Sequence, residues 1–354
     1  MKKKNSKVKK VILIALSLVL LTILVNSIIA VAVFGDKIAN AMSVKKLQER
    51  LYYIDIKGDC GFENYLSLGG AESEAELAQY IISYLSGGFY EPEVEGEVLD
   101  FGCSTLTVES SADEILMGRN FDWEGTEGSA MIVHSTPDDG YESYSTTWLD
   151  FLGFGEKWLP EGFVNQYMSL ATFYAPLDGI NEKGLCVADL VAGDKAHTNQ
   201  DTTKTDLTTT TAIRLLLNEA ATVEEAVQLL SEYDMNSSIN TSHHLAISDA
   251  TGRSVVVEYV DNEMIVTDTP AVTNHYLSQG EKYGVGNEES HNRFDKLIDM
   301  SSDIFDSEDM ADCMESVSYP METQWSIVYN LDSRSLDFYW QRDFSKPLNF
   351  SISK

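Results

Sequence analysis

Phe101-Gly-Cys-Ser-Thr-Leu-Thr-Val-Glu109, Ser110-Ser-Ala-Asp113 and Ile115-Leu-Met-Gly-Arg-Asn-Phe-Asp-Trp123 form the stretch around which the chain is organised. From Cys103 to Glu109, Thr, Leu, Thr and Val sit in the period-two pattern of a half-buried strand. Ser110 to Asp113 is a polar turn, and Ile115 onward runs back as a second strand. A hairpin of this length returns its far end to its start. Arg119 and Asp122, sixteen and nineteen residues after Cys103, are therefore expected beside it. The thiolate is the reactive form of cysteine, and a neighbouring cation favours it, so this grouping suits an activated nucleophile. A Cys in a strand can equally be a small buried hydrophobe.

Upstream, Met1–Lys10 holds six lysines, and Val11–Phe34 is apolar apart from Ser17, Thr22, Asn26 and Ser27. Twenty-four residues at about 1.5 Å rise each can span a bilayer. Lysines before the span place the N-terminus in the cytoplasm and the bulk of the chain outside. A cleaved signal peptide with Ala30-Val-Ala32 as its small-residue site is the competing reading. Three regions are expected: 1–34 as basic tip and anchor or signal, 35–102 as a partly helical, propeptide-like segment, and 103–354 as the catalytic domain. Within 35–102, Ala71–Leu85 has apolar residues at helical spacing and acids in its first turn, and Gly87-Gly88 ends it. Its stripe is Leu77, Ile81, Ile82 and Leu85. Glu91–Glu97 is a charged loop.

The chain of 354 residues carries a formal net charge of −31. Such a surface repels nucleic acid and anionic membrane, and no nucleic-acid module is recognisable. The cysteines are Cys60, Cys103, Cys186 and Cys313. Their spacing and the scattered histidines argue against zinc. Four cysteines in so long a chain make no disulfide framework, though one Cys60–Cys313 bridge stays open.

Downstream, Ala130–His134 reads as a strand. Gly140–Phe163 is rich in aromatic residues and glycine, and lines an apolar pocket or forms core. Asn181–Gly184 is a tight turn feeding the strand Leu185–Val191. Thr208–Leu217 and Val223–Leu230 are helices, the second capped by Thr222 with Glu225 three residues on. From His244 to Val266 three antiparallel strands follow one another, with turns at Asp249–Gly252 and Asp261-Asn262. His243 and His244 are strand residues in this reading. Pro270–Tyr276, Ser290–Leu297 and a hairpin of Thr323–Leu331 with Ser335–Trp340 close the chain. Strand pairs, helices, a meander and a final hairpin indicate an α+β fold.

Several of these motifs resemble the choloylglycine hydrolase-like, or linear amide C–N hydrolase, group of N-terminal nucleophile hydrolases. They are Cys103 with Gly118-Arg-Asn-Phe-Asp122, Asp178-Gly-Ile-Asn-Glu-Lys-Gly-Leu185, Thr273-Asn274 and Ser290-His-Asn-Arg293. The resemblance covers Cys103 to the C-terminus and implies a four-layer αββα sandwich. It also implies that Cys103 becomes the first residue of the mature chain and attacks an amide carbonyl through a thioester. Asn274 would donate to the oxyanion, Asp122 would hold the α-amine, and Arg119 and Arg293 would set charge and substrate orientation. Ser290 would cap the helix carrying Arg293. Many members place an Asn in or just beyond the strand after the Asp-Gly motif; here Val191 stands there, so a backbone N–H is the alternative donor. The implied activity is hydrolysis of a small N-acyl amide, such as a conjugated bile acid, penicillin V, an N-acyl amino acid, a fatty-acid amide or an N-acyl homoserine lactone. No metal or organic cofactor is implied, and the oligomeric state is left open. An acyltransferase of the same fold and a catalytically silent, membrane-anchored binding domain are the alternatives.

Overall fold

The structure is a computed structural model that describes residues 21–22, 24–25, 31–88, 101–123, 128–154 and 159–352. The apolar stretch Val11–Phe34 and the loop Glu91–Glu97 lie largely or wholly outside these residues. Among the described residues no helix is long and apolar enough to cross a membrane.

The chain opens with α1, helical over residues 31–41. Then come β1 (Lys45–Gln48), β2 (Leu51–Lys57), α2 (Phe62–Ser67), α3 (Glu74–Ser86), β3 (Phe101–Glu109), β4 (Ile115–Trp123), β5 (Ala130–Thr136) and β6 (Ser143–Trp148). They are followed by α4 (Phe163–Met168), β7 (Asp178–Asn181), β8 (Cys186–Val191), β9 (Asp206–Thr208), α5 (Thr209–Glu219), α6 (Val223–Leu230) and β10 (Asp234–Asn236). The C-terminal part holds β11 (His243–Ser248), β12 (Ser254–Val260), β13 (Glu263–Asp268), β14 (Ala271–Val272), α7 (Glu288–Met300), α8 (Ser307–Ser316), β15 (Thr323–Asn330), β16 (Ser335–Trp340) and β17 (Leu348–Ser351).

The strands form a nine-stranded sheet, β1-β2-β5-β6-β7-β8-β11-β12-β13, and a six-stranded sheet, β14-β3-β4-β15-β16-β17; β9 and β10 pair separately. The pairing β2–β5 is parallel and β5–β6 antiparallel, so the larger sheet is mixed.

Alternation along the strands sorts the side chains into three apolar layers. On one side of the nine-stranded sheet, Ile54, Met131, Val187 and Leu245 pack against Phe62, Leu77, Ile81, Ile213 and Val223 of the helices. On its other side, Leu51, Ile132, Ala188 and Ala246 meet Phe121, Trp325, Ile327 and Phe338 of the six-stranded sheet. Beyond that sheet, Leu106, Leu116 and Val328 pack against Leu297, Met310, Cys313 and Met314 of α7 and α8. Each sheet is thus covered on both faces. This corrects the half-buried reading of β3: Cys103 to Thr107 are all buried. Its inward threonines are accommodated by hydrogen bonds such as Thr107 Oγ1 to Ser248 Oγ at 2.8 Å.

Helix ends follow the expected chemistry. Ser73 and Thr222 cap α3 and α6, and Gly87 ends α3 in the left-handed region at φ 68°. At α7 the cap is Asn287, whose Oδ1 accepts from Ser290 N–H at 2.7 Å. Ser290 is therefore not the cap; it lies inside the first turn and is fully buried. Among the described residues of 140–163, Tyr144, Trp148 and Phe154 are core while Phe163 is exposed; Trp148 is 1 % exposed and its ring lies against Phe121, Trp325 and Trp340. The segment before Cys103 is woven into the sheet. β2 pairs with β5 from Leu51↔Ala130 to Lys57↔Thr136, and Leu77, Ile81 and Leu85 of α3 are buried. All four cysteines are free.

Ile54 is fully buried at the centre of β2. Ile54→Ala is expected to lower the stability of the chain by about 2–4 kcal/mol in urea unfolding, through lost contacts and a residual cavity. Unchanged stability would mean that β2 lies outside the cooperative unit.

Candidate active site

The β3–β4 register sets Cys103 opposite Phe121, Gly102 opposite Asp122 and Thr105 opposite Arg119. Cys103 and Arg119 point into the space between the sheets, where Arg119 is fully buried. Arg119 donates from Nη1 to Asn120 O at 2.6 Å, from Nη2 to Asp189 O at 2.7 Å and from Nε to Asp178 Oδ2 at 3.4 Å. Burial pushes the Cys103 thiol above its ordinary range, and the Arg119 guanidinium beside it pulls the other way.

Asp122 is also fully buried. Burial pushes its carboxyl up to about 6, against the opposing pull of Arg293 and of the Thr323 hydroxyl that donates to it. Arg293 reaches in from α7. Its Nη1 donates to Cys103 O at 2.9 Å and to Asp122 Oδ2 at 3.3 Å, and its Nη2 to Asn274 Oδ1 at 2.8 Å. The guanidinium carbon lies 4.8 Å from the centre of the Tyr319 ring. Asn274 Oδ1 also accepts from Cys103 N–H at 2.8 Å, while its amide donates to Val191 O at 2.8 Å. The other four side chains expected from the sequence, Arg119, Asp122, Asn274 and Arg293, gather around Cys103 and its backbone. The Asn274 amide is engaged by the carbonyl of Val191, the residue at which a second asparagine was expected.

Three supporting groups play roles that the sequence did not indicate. Asp178 accepts from Arg119, from Trp325 Nε1 at 3.1 Å, from Tyr329 Oη at 2.9 Å and from Thr146 Oγ1. The only signal was its place at the head of an Asp-Gly motif that reads as a structural turn. Ser290 Oγ meets Thr273 Oγ1 at 3.0 Å and His275 Nδ1 at 2.9 Å, tying α7 to the residues on either side of Asn274. His243, a strand residue as expected, bonds Asp189 Oδ1 at 2.7 Å and so steadies the residue whose carbonyl holds Arg119. A cavity of about 530 Å³ opens at Gly102, with Val191, Asp194, Lys195, Asn274, Glu289, Arg293, Tyr319 and Glu322 among its lining. Among the described residues, no ring of the 140–163 run lines it.

Residues 103–276 match the family of linear amide C–N hydrolases described as the choloylglycine hydrolase family. The match starts on Cys103 itself. Over these residues the chain carries the sequence pattern of the choloylglycine hydrolase family. It is accordingly a hydrolase of carbon–nitrogen bonds in linear amides. Crystal structures of two variants of conjugated bile acid hydrolase from Clostridium perfringens are similar to it, with TM-scores of 0.51 and 0.50 at 18 % identity. They cover 70 % and 71 % of this chain and 92 % of their own chains. At that identity the likeness concerns the fold. Penicillin V acylase from Agrobacterium tumefaciens matches with a TM-score of 0.49 at 18 % identity, over 71 % of this chain and 86 % of its own. No curated protein sequence matches the chain.

Removing Asp178 would leave the buried Arg119 charge unpaired. Asp178→Ala is expected to cost about 3–5 kcal/mol in denaturant unfolding. Replacing both partners by apolar residues, Arg119→Met with Asp178→Leu, is expected to recover much of that loss.

Proposed function

We propose that the chain is a cysteine N-terminal nucleophile amidohydrolase that cleaves the linear amide of a small N-acyl substrate through a thioester. The observation that carries this reading is the arrangement about the backbone of one residue, Cys103. Asn274 Oδ1 accepts from Cys103 N–H, Arg293 Nη1 donates to Cys103 O, and Asp122 pairs with Arg293. The stacking of helices, sheet, sheet and helices fits the αββα sandwich of such hydrolases. Substrates of the conjugated bile acid, penicillin V and N-acyl amino acid kinds agree with the family's chemistry and with the printed activities of the similar structures.

In the first event Cys103 Sγ attacks the Gly102 carbonyl. The Gly102–Cys103 bond breaks, its nitrogen takes up the proton as an amine, and water hydrolyses the resulting ester of sulfur. A free α-amine titrates near pH 8, so it serves as a base at neutral pH where an ordinary Lys does not. With substrate, Cys103 Sγ attacks the amide carbonyl while the α-amine takes the thiol proton and passes it to the leaving nitrogen. The Asn274 amide, held by Val191 O in the intact chain, stabilises the oxyanion in this reading. Arg119 keeps positive charge beside the sulfur, and Asp122 with Asn274 Oδ1 orients the amine. Water then releases the acyl group.

The lysines of Met1–Lys10 and the apolar run after them support a protein held in the cell membrane by one N-terminal span, with the catalytic part outside the cytoplasm. After cleavage the fragment ending at Gly102 stays attached, because β2 and α3 are built into the core.

Intact mass and N-terminal sequencing are expected to give a new N-terminus at Cys103. Cys103→Ala is expected to stay whole and to hydrolyse none of a panel of N-acyl amides. A fully active, unbroken chain would overturn the mechanism. Asn274→Ala is expected to lower kcat by about 10²–10³-fold, the usual effect of losing one oxyanion donor. The rate of self-cleavage is expected to fall as pH drops through about 6, where Asp122 takes up a proton and its ion pair with Arg293 is lost.

Protease added to intact cells is expected to digest the catalytic part. Protection until lysis would refute the topology.

A further inference from the structure

The cavity at Gly102 is unevenly charged. On one part of its wall Asp194 is bound by Lys282 and by Tyr276 Oη at 3.0 Å, and Lys195 adds an exposed cation. At the Gly102 end stand Glu289, in the first turn of α7, and Glu322, next to β15, with Tyr319 between them. Tyr319 Oη donates to Glu289 Oε2 at 3.0 Å, and Glu322 N–H donates to Tyr319 O at 3.3 Å. The cation at this end is Arg293, and its charge is already met by Asp122. Among the described residues, neither Glu289 nor Glu322 forms an ion pair with a Lys or Arg. Arg293 also keeps a buried Nε–H without a partner. A buried donor left unused in a cavity wall points to an acceptor brought by a ligand. Aliphatic side chains are scarce among the described lining residues: Val191 and Ala192 only.

These walls adjoin Gly102. Its carbonyl carbon is the acyl carbon of the first amide that Cys103 would cut, so a substrate that later takes its place presents its own acyl group to the same end. We infer that the preferred acyl group carries a positive charge a few atoms from the scissile carbonyl, held by the Glu289 and Glu322 carboxylates, with its carbonyl side within reach of the unused Arg293 donor. This rests on the amidohydrolase reading above and adds the charge of the substrate to it. An acyl chain ending in a carboxylate meets repulsion at the same place, and a neutral chain gains nothing from the pair.

The test uses three amides of one chromogenic aryl amine, bearing aminohexanoyl, hexanoyl and adipoyl groups, on the full-length protein. The expected order of kcat/KM is aminohexanoyl, then hexanoyl, then adipoyl, with about fivefold between the first two, as a partly exposed charge pair allows. Raising the salt should shrink that gap, because exposed charges are screened over about 10 Å at 0.1 M ionic strength. Glu289→Gln with Glu322→Gln should bring the first ratio close to one. Equal or better turnover of hexanoyl or adipoyl, a gap insensitive to salt, or a ratio unmoved in the folded double variant would overturn the inference. Hydrolysis of none of the three by protein broken at Gly102–Cys103 also counts against the acyl assignment. The same result with unbroken protein counts against the amidohydrolase reading itself.

Discussion

A guanidinium taken out of water must be paired, because the desolvation penalty is several kcal/mol per ion even after relaxation. Arg119 meets that demand between the two sheets, and its counterion Asp178 is equally buried. Asp178 belongs to β7 of the nine-stranded sheet; Arg119, Trp325 and Tyr329, which donate to it, belong to β4 and β15 of the six-stranded sheet. One carboxylate therefore ties the sheets together and fixes where the positive charge stands. The remaining Arg119 donors go to Asn120 O and Asp189 O, so the side chain has no second place to go. The charge stays beside the Cys103 sulfur, opposing the effect of burial on the thiol. The cation beside the Cys103 sulfur and the bond that aligns the sheets are one interaction.

A similar economy holds Asn274 and Arg293. They come from a short strand end and a helix, and nothing local relates them. The Ser290–Thr273–His275 contacts do, since they join the first turn of α7 to the residues flanking Asn274. Arg293 lies three residues after Ser290, close to one helical turn, so the same face of α7 presents both side chains. The spacing Ser-x-x-Arg is then explained without Ser290 acting as a cap.

What could be read in the sequence was what short-range pattern encodes. The hairpin from Phe101 to Trp123 forms and returns Arg119 and Asp122 to the neighbourhood of Cys103 as expected, because a short polar turn between two strands leaves little choice. The meander from His244 to Val266 and the closing hairpin follow for the same reason: Asp261 and Asn262 adopt positive φ, 52° and 64°, as a two-residue turn requires. The five expected site residues meet, since each stood in a motif with its own local geometry. The parallel pairing of β2 with β5 was not legible. It joins residues far apart in sequence, and Leu51-Tyr-Tyr-Ile-Asp-Ile-Lys57 carries no mark of its partner. Asp178 hid for another reason: a carboxylate at a turn looks like turn chemistry until the opposite sheet is in view. The rings of Tyr144 and Trp148 read equally well as pocket or core, and only the second sheet packing on them decided for core.

Gly102 shows how closely the local geometry is drawn. Its backbone is ordinary extended strand, so no left-handed conformation calls for glycine. The reason is space. A Cβ there would lie 3.3 Å from Asp122 Cβ and 3.4 Å from Tyr319 Cε2. Asp122 would have to give by a few tenths of an ångström with the Tyr319 ring already at contact distance, and neither is free to move. Asp122 is held by Arg293 and Thr323, and the Tyr319 ring is stacked on the Arg293 guanidinium and bonded to Glu289. Any side chain at 102 would thus press on Arg293 through both neighbours, and Arg293 is the group that reaches Cys103 O and Asn274 Oδ1. The residue before Cys103 is small because the carboxylate and the ring behind it are both already held against the Arg293 guanidinium.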